Sequence, residues 1–308
     1  TQVLDVETPD PTGNGVENDT PAGDKLLHGK DWWLEYPQFL DTAKRYVDEK
    51  SIPQIVGLIE KYDPDILWFD TPHKLPLFEN IRILEAIRKA DPEGKIVVNG
   101  RLARFAGVNF GDYINTGDRA SYFPPTQGAW ESIPTTNESY GYSMVDLDRK
   151  PAGYFVQLLA SAAAKGGNIL MNVGPMGDGR WDPADIEIFS SVGDWLKING
   201  EAIYGSEKSD LPVQSWGVTT RKADKLYLHV YDWPSGGMLT VGGLRSDIKK
   251  AYLLADPRKK SLQFTRSGEN DMLIHLPRTA PDNVNSVIVL EMGAEKASYP
   301  VRLLDPAQ

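Results

Sequence analysis

Two short apolar segments, each following a helical pattern, constrain the fold of this chain most strongly. They are Ile66–Phe69 and the run KIVVNGR at 95–101, and neither alternates between apolar and polar residues. Uninterrupted apolar strands are typical of a parallel sheet that helices cover on both faces. The order helix, strand, helix, strand therefore predicts an α/β fold for this part of the chain.

The segments around these strands show helical periodicity. We expect helices at 37–49, 51–62, 79–94, 151–167 and 182–200, and a further strand at 168–175. Ser51 is the predicted N-cap of the second helix. Asp182, with Pro183 just inside the start, marks the beginning of the last helix, and Gly200 marks its end. The region between 102 and 150 is rich in loop residues.

From about residue 203 the pattern of apolar and turn residues changes. Short, partly alternating apolar segments such as KLYLHVYDW and NSVIVLEM are separated at regular intervals by turn residues. This spacing is typical of an antiparallel β-sandwich or a small barrel. We therefore predict a second domain at 206–308, after a first domain at 1–205.

Composition excludes several classes of function. The formal net charge of −10 makes nucleic acid an unfavourable partner, and no apolar run is long enough for a membrane span. The chain has no cysteine, which removes thiolate nucleophiles and thiolate metal sites. Its four histidines form no pair at metal-ligand spacing, and His229 and His275 fall in the predicted sandwich, where a structural role is expected. These features speak against a metal site.

Polar residues recur where predicted strands end. Asp70 follows the first strand, Asn99 and Arg101 close the second, and Asn172 lies near the end of the third. In a parallel α/β barrel this edge carries the active site. Taken alone, Asp70 fits a turn former or helix N-cap equally well, and Arg101 fits a surface ion pair. Their recurrence favours a site.

The loop region adds carboxylates and aromatic rings, a combination that suits sugar binding. The carboxylates are Asp112, Asp118, Glu131 and Glu138, and the rings are Tyr113, Tyr122, Phe123, Trp130, Tyr140 and Tyr142. Two carboxyl groups that flank a glycosidic bond are the usual equipment of a glycosidase. An apolar neighbour such as Trp130 would raise the pKa of the acid. Alternatively, the rings cover the barrel and the carboxylates are solvated.

Five motifs in order resemble one family. They are YDPDILWFD, IVVNGR, GAWES followed by SYGYS, GGNILMNVGPMGDG and INGEAIYGS, and they resemble the α-L-fucosidases of glycoside hydrolase family 29. The resemblance implies a (β/α)8-like TIM barrel followed by a C-terminal β-sandwich. It implies a retaining exo-glycosidase that removes terminal α-L-fucose from a fucosylated glycan without metal or cofactor. It also implies a secreted or periplasmic protein.

The resemblance also implies roles for particular residues. Asp70 corresponds to the nucleophile, Arg101 to a contact of the sugar or the nucleophile, and Asn99 to a supporting residue. The acid/base corresponds to Asp118 or to Glu131, and both remain open. The expected substrate-binding aromatic residues are Trp68, Trp130 and Tyr142.

The chain departs from the family pattern at three positions. Thr71 replaces a glycine, Gly100 replaces the aspartate of the NDR-like motif, and Asp118 is one methylene shorter than the usual glutamate. Misplacement of a catalytic group by about 1 Å can cost about 10²-fold in rate. These departures motivate one alternative, a non-catalytic glycan-binding protein. A glycosidase of altered specificity, acting on an α-galactoside or a sulfated fucan, also stays open, because the strands with which the family grips the sugar do not appear in this chain.

The first domain is too short for a complete barrel, which typically needs about 250 residues. The resemblance places Thr1–Pro11 at the end of the third barrel strand. We therefore expect residues 1–205 to form the C-terminal portion of a barrel whose first strands belong to an N-terminal segment of the same protein.

Overall fold

The computed structural model of the chain describes residues 36–70, 75–105, 108–118, 120, 123, 126 and 128–293. Two compact units, Thr1–Pro134 and Thr135–Gln308, make up the chain. Thr71 and the segment Thr1–Pro11 lie outside the described residues.

The described part of the first unit starts with an unbroken helical stretch. It consists of a 3-10 turn at Pro37–Phe39, α1 at Leu40–Tyr46, a π-helical turn at Val47–Ser51 and α2 at Ile52–Tyr62. The prediction that Ser51 caps a separate helix is wrong, because its backbone is helical and its side chain makes no capping bond. The wide turn accommodates Pro53, which has no backbone N–H to donate.

Short strands and one further helix follow. The elements are β1 at Ile66–Leu67, α3 at Leu77–Ala90, β2 at Val97–Val98, β3 at Arg104–Phe105, β4 at Val108–Asn109, β5 at Ile114–Asn115 and β6 at Trp130–Ser132. β1 pairs with β2, and β5 pairs with β6, both in parallel. A parallel bridge between Asn99 and Tyr113 joins the two pairs. The carboxyl ends of β1, β2, β5 and β6 therefore lie along one edge.

One face of β1 and β2 is buried and the other is exposed. Val98 is fully buried in a core that includes Ile83 and Ile87 of α3. Ile66 and Val97, which pair across the two strands, are 55% and 38% exposed. The expectation of burial on both faces is therefore wrong for this strand pair among the residues described.

The second unit opens with two helices around a short strand. They are α4 at Ala152–Ala164, β7 at Gly167–Ile169 and α5 at Pro183–Asn199, followed by a 3-10 turn at Gly200–Ala202. The predicted start of α5 is confirmed. Asp182 Oδ1 accepts a hydrogen bond from the backbone N–H of Ala184 at 2.8 Å, and Pro183 is the first helical residue.

The predicted antiparallel sandwich is confirmed. Its strands are β8 at Glu207–Lys208, β9 at Gly217–Lys222, β10 at Lys225–Val230, β11 at Met238–Val241, β12 at Ile248–Leu253, β13 at Phe264–Ser267, β14 at Asp271–His275 and β15 at Ser286–Met292. They form a five-stranded sheet in the order β12-β15-β10-β9-β8 and a three-stranded sheet in the order β11-β14-β13. Side chains from both sheets, including Leu228, Ile274 and Ile288, share one core.

The helices of the second unit cover the other face of the five-stranded sheet. Phe155 of α4 and Trp195 of α5 pack in one cluster with Tyr227, Tyr252 and Val289 of the sheet. This shared core is why the compact units divide before the helices and not at 205/206. The assignment of 1–205 to a barrel and 206–308 to a sandwich domain stays a prediction.

Candidate active site

An arginine joins two carboxylates at the carboxyl edge of the parallel strands. Arg101 follows β2, and its Nη1 donates to Asp70 Oδ1 at 2.8 Å while its Nη2 donates to Asp118 Oδ1 at 2.5 Å. The guanidinium is mostly buried, whereas the side chains of Asp70 and Asp118 are 53% and 62% exposed. Burial alone would lower the pKa of Arg101, but bonding to both carboxylates raises it overall. Arg101 is thus a fixed cation beneath two accessible carboxylates.

The backbone next to Asp70 is held by an amide side chain. Asn99 Oδ1 accepts from the backbone N–H of Phe69 at 2.7 Å, and its Nδ2 donates to the carbonyl of Phe69 at 2.8 Å. Asn99 is fully buried. This two-bond clamp holds the backbone next to Asp70. The supporting role of Asn99 at the site stays a prediction.

Glu131 lies in β6 with one oxygen bound by two donors. Trp68 Nε1 donates to its Oε1 at 2.9 Å, and Asn115 Nδ2 donates to the same atom at 2.8 Å. Burial raises the pKa of Glu131 despite these two bonds and the charge of Arg101, which act in the opposite direction. A carboxyl group with a raised pKa is suited to general acid catalysis near neutral pH.

The two predicted tryptophans differ in exposure. Trp68 is 37% exposed, and Arg101 Cζ lies 5.5 Å from its ring centroid. Trp130 is only 1% exposed and packs 4.9 Å from the ring of Phe123. Because successive strand residues point to opposite faces, the Trp130 ring leaves β6 on the side away from Glu131. Trp130 is a core contact here, and its place in a pocket wall stays a prediction.

Tyr142 belongs to the second unit, where its loop is held by amide side chains. Asn172 Nδ2 donates to the carbonyl of Tyr140 at 2.7 Å, and Asn137 Nδ2 donates to that of Gly141 at 2.8 Å. The Tyr142 side chain is 37% exposed. Its predicted contact with substrate stays a prediction, and Asn172 has a visible role in supporting the loop.

Two further loop carboxylates have structural partners. Asp112 binds Arg88 Nη2 through both oxygens at 2.7 Å, and it also accepts from the backbone N–H of Val98. Glu138 pairs with Lys150 at 2.6 Å. Within the described part of the chain, no group of three or more His, Asp or Glu side chains is arranged to hold a metal ion.

Gly100, which replaces the family's aspartate, lies where the backbone is crowded. A Cβ at this position would lie 2.5 Å from Asn109 Oδ1 and 2.7 Å from the carbonyl oxygen of Tyr113. Contacts this short do not occur for real Cβ atoms, so the present backbone has no room for a side chain here.

Asn115 is the site residue that sequence reasoning missed. It lies at the end of β5, is 4% exposed and contacts Glu131 directly. The signal that pointed to Asn99, a polar residue closing an apolar strand, is also present at Ile114–Asn115. It was weak because the strand has only two residues.

A half-buried carboxyl group, an exposed carboxylate bound by an arginine and a neighbouring tryptophan therefore lie at one strand edge. A family model described as Alpha-L-fucosidase matches residues 25–201, more than half of the chain. The chain belongs to the α-L-fucosidase family.

Individual relatives agree with this assignment. The alpha-L-fucosidase of Branchiostoma floridae is 30% identical over 219 residues, which cover 67% of this chain and 48% of that protein. The tissue alpha-L-fucosidase of Homo sapiens is 28% identical over 278 residues, covering 84% of this chain and 58% of that protein. The solved structure of alpha-L-fucosidase isoenzyme 1 from Paenibacillus thiaminolyticus is 27% identical with a TM-score of 0.71, covering 81% of this chain and 63% of that one. The chain spans about half the length of the curated relatives it matches.

Proposed function

We propose that the protein hydrolyses terminal α-L-fucosides of glycans with retention of anomeric configuration. The observation that carries the proposal is the contrast between two carboxyl groups at one strand edge. Glu131 is half-buried with a raised pKa, whereas Asp70 is exposed and bound by Arg101. Family membership supplies the substrate class.

In the proposed reaction, Asp70 attacks the anomeric carbon while Glu131 gives its proton to the leaving oxygen. The C–O bond to the aglycone breaks and a fucosyl ester of Asp70 forms. Glu131, now ionised, takes a proton from water, which attacks the ester and releases fucose and the free Asp70 carboxylate. Trp68, whose ring is partly exposed, is the aromatic surface proposed to contact the sugar.

Glu131 suits the acid/base role better than Asp118. Burial has the largest effect on the pKa of Glu131, and it favours the protonated form. Asp118 is exposed, and its Oδ1 is occupied by Arg101. Asp118 is therefore proposed to hold the guanidinium that contacts Asp70.

Three variants of the full-length protein test these roles on a chromogenic α-L-fucoside. Asp70→Ala should abolish turnover, and azide should restore it with formation of the β-fucosyl azide. Glu131→Ala with azide should give the α-azide instead, and Asp118→Asn should show no azide rescue. Full activity of Asp70→Ala would refute the nucleophile assignment, and azide rescue of the Asp118 variant alone would exchange the two acid/base candidates.

The same assay distinguishes the alternative functions. Turnover of an α-galactoside or a sulfated fucan in preference to the fucoside would indicate altered specificity. Fucose binding without turnover of any substrate would indicate a glycan-binding protein. The departures at Thr71, Gly100 and Asp118 motivate the glycan-binding alternative.

We also propose that the parallel strands are part of a (β/α)8-like barrel that residues outside this chain complete. The exposed pair Ile66 and Val97 supports this, because an apolar strand face is normally covered. So does the coverage of about half of the relatives' length.

A secreted or periplasmic location is part of the same proposal. Among the helices that the structure describes, none is long and apolar enough to cross a membrane.

A further inference from the structure

A continuous series of hydrogen bonds joins the backbone beside Asp70 to the carboxyl group of Glu131. Asn99 clamps Phe69, Asn99 Nδ2 also donates to Asn115 Oδ1 at 3.0 Å, and Asn115 Nδ2 donates to Glu131 Oε1 at 2.8 Å. Both amides are at least 96% buried. We call Asn99 and Asn115 the amide relay.

The direction of every bond in the amide relay is determined by the backbone. The N–H of Phe69 only donates and its carbonyl only accepts, so Asn99 must place Oδ1 on the former and Nδ2 on the latter. Asn99 Nδ2 then donates to Asn115, which leaves Asn115 Nδ2 facing Glu131. Neither amide can be reversed without losing a buried hydrogen bond.

A second donor of fixed direction faces the same oxygen. An indole N–H can only donate, and Trp68 Nε1 lies 2.9 Å from Glu131 Oε1. A proton on Oε1 would therefore oppose two N–H groups. Among the described residues, the other titratable or charged groups that act on Glu131 are Arg101 and Tyr113. Burial raises the pKa of Tyr113 to about 12, so its hydroxyl stays neutral.

We propose that Asn115 is a positioning residue that selects the proton-bearing oxygen of Glu131. Oε1 remains an acceptor, and Oε2 carries the proton that passes to the leaving group. The inference rests on the proposed function for the transfer step, but the selection of the oxygen is a property of the amide relay itself. The amide relay also connects Glu131 to the backbone next to Asp70. It thereby fixes the position of one carboxyl group relative to the other.

The test compares Asn115→Leu, which keeps the branched shape of the side chain and removes its donor and acceptor, with Asn109→Ala as a control. Asn109 also has an amide side chain with two hydrogen bonds, to the backbone of Tyr113 and of Gly111, but it is less buried than Asn115 and lies outside the relay. Titration of Glu131 is followed in full-length protein with ¹³C-labelled glutamate carboxyls, with Glu131→Gln providing the assignment. We expect the pKa of Glu131 to rise in Asn115→Leu and to stay unchanged in the control.

Kinetics with aryl fucosides of increasing leaving-group pKa provide the second readout. A misdirected proton should slow the poorest leaving groups about tenfold to a hundredfold and spare activated dinitrophenyl fucosides. Two results for Asn115→Leu would overturn the proposal. The first is an unchanged pKa of Glu131 together with an unchanged dependence of the rate on the leaving group. The second is an unchanged pKa of Glu131 together with an equal loss of rate on all substrates.

Failure of the proposed function gives a different result. If the wild-type protein hydrolyses no α-L-fucoside, that function is refuted. In the same protein, a raised pKa of Glu131 in Asn115→Leu would still support the relay, and an unchanged pKa would overturn it.

Discussion

His229 makes the stability of the sandwich depend on pH. The ring is completely buried, with Nε2 3.0 Å from Thr220 Oγ1 and Nδ1 3.3 Å from Asn285 Nδ2. Burial lowers the pKa of His229 to about 4, and the hydrogen bonds of Asn285 and Ala202 offset this only in part. The ring is therefore neutral in the folded protein at physiological pH, as expected for a structural histidine.

The size of the effect follows from linkage. Between pH 4 and pH 6.5 the unfolded chain holds a proton on this ring that the folded chain does not. The free energy of unfolding therefore decreases as the pH falls through this window, by about 3 kcal/mol in total. Above the unfolded-state pKa of about 6.5 the contribution no longer changes with pH.

Urea unfolding of the wild type and of His229→Gln at a series of pH values from 4 to 8 measures this contribution. Other carboxyl groups titrate in both proteins, so the difference between the two curves isolates the histidine. We expect the stability advantage of the wild type to shrink steadily below pH 6.5. A difference that is constant across the series would refute the depressed pKa and the reasoning from burial.

Three further changes test other parts of the structure. Leu228→Ala, at a fully buried position, should lower the free energy of unfolding by about 2–5 kcal/mol in urea titrations, whereas Met238→Ala at a 52% exposed position should change it little. Asp182→Ala should cost about 1 kcal/mol in the same assay through loss of the N-cap of α5, and an unchanged midpoint would argue against capping. Gly174→Ala would place a Cβ 2.4 Å from the backbone of Gly141, so we expect a lower thermal midpoint, and an unchanged midpoint would show that the loop can move away.

Local chemistry explains which elements could be predicted. The start of α5 could be predicted because the N-cap Asp182 and the first helical residue Pro183 act within one helical turn. The sandwich was readable because alternation and turn residues repeat along its strands. The N-cap prediction for Ser51 is wrong because a π-helical turn continues the helix through this residue. Structure that depends on contacts within a few residues can therefore be predicted from the sequence.

The sequence by itself determined that polar residues close successive strands, and it thereby brought Asp70, Asn99 and Arg101 to attention. Only the tertiary structure decided which groups act on each other. Trp68 and Glu131 are 63 residues apart in the chain, and Asn115 meets both Glu131 and Asn99 across strand pairs. The raised pKa of Glu131 depends on how much water packing removes from its carboxyl group. Burial and long-range hydrogen bonds are properties of the assembled strands, which is why the sequence left two acid/base candidates open and why the proposal of Glu131 rests on the fold.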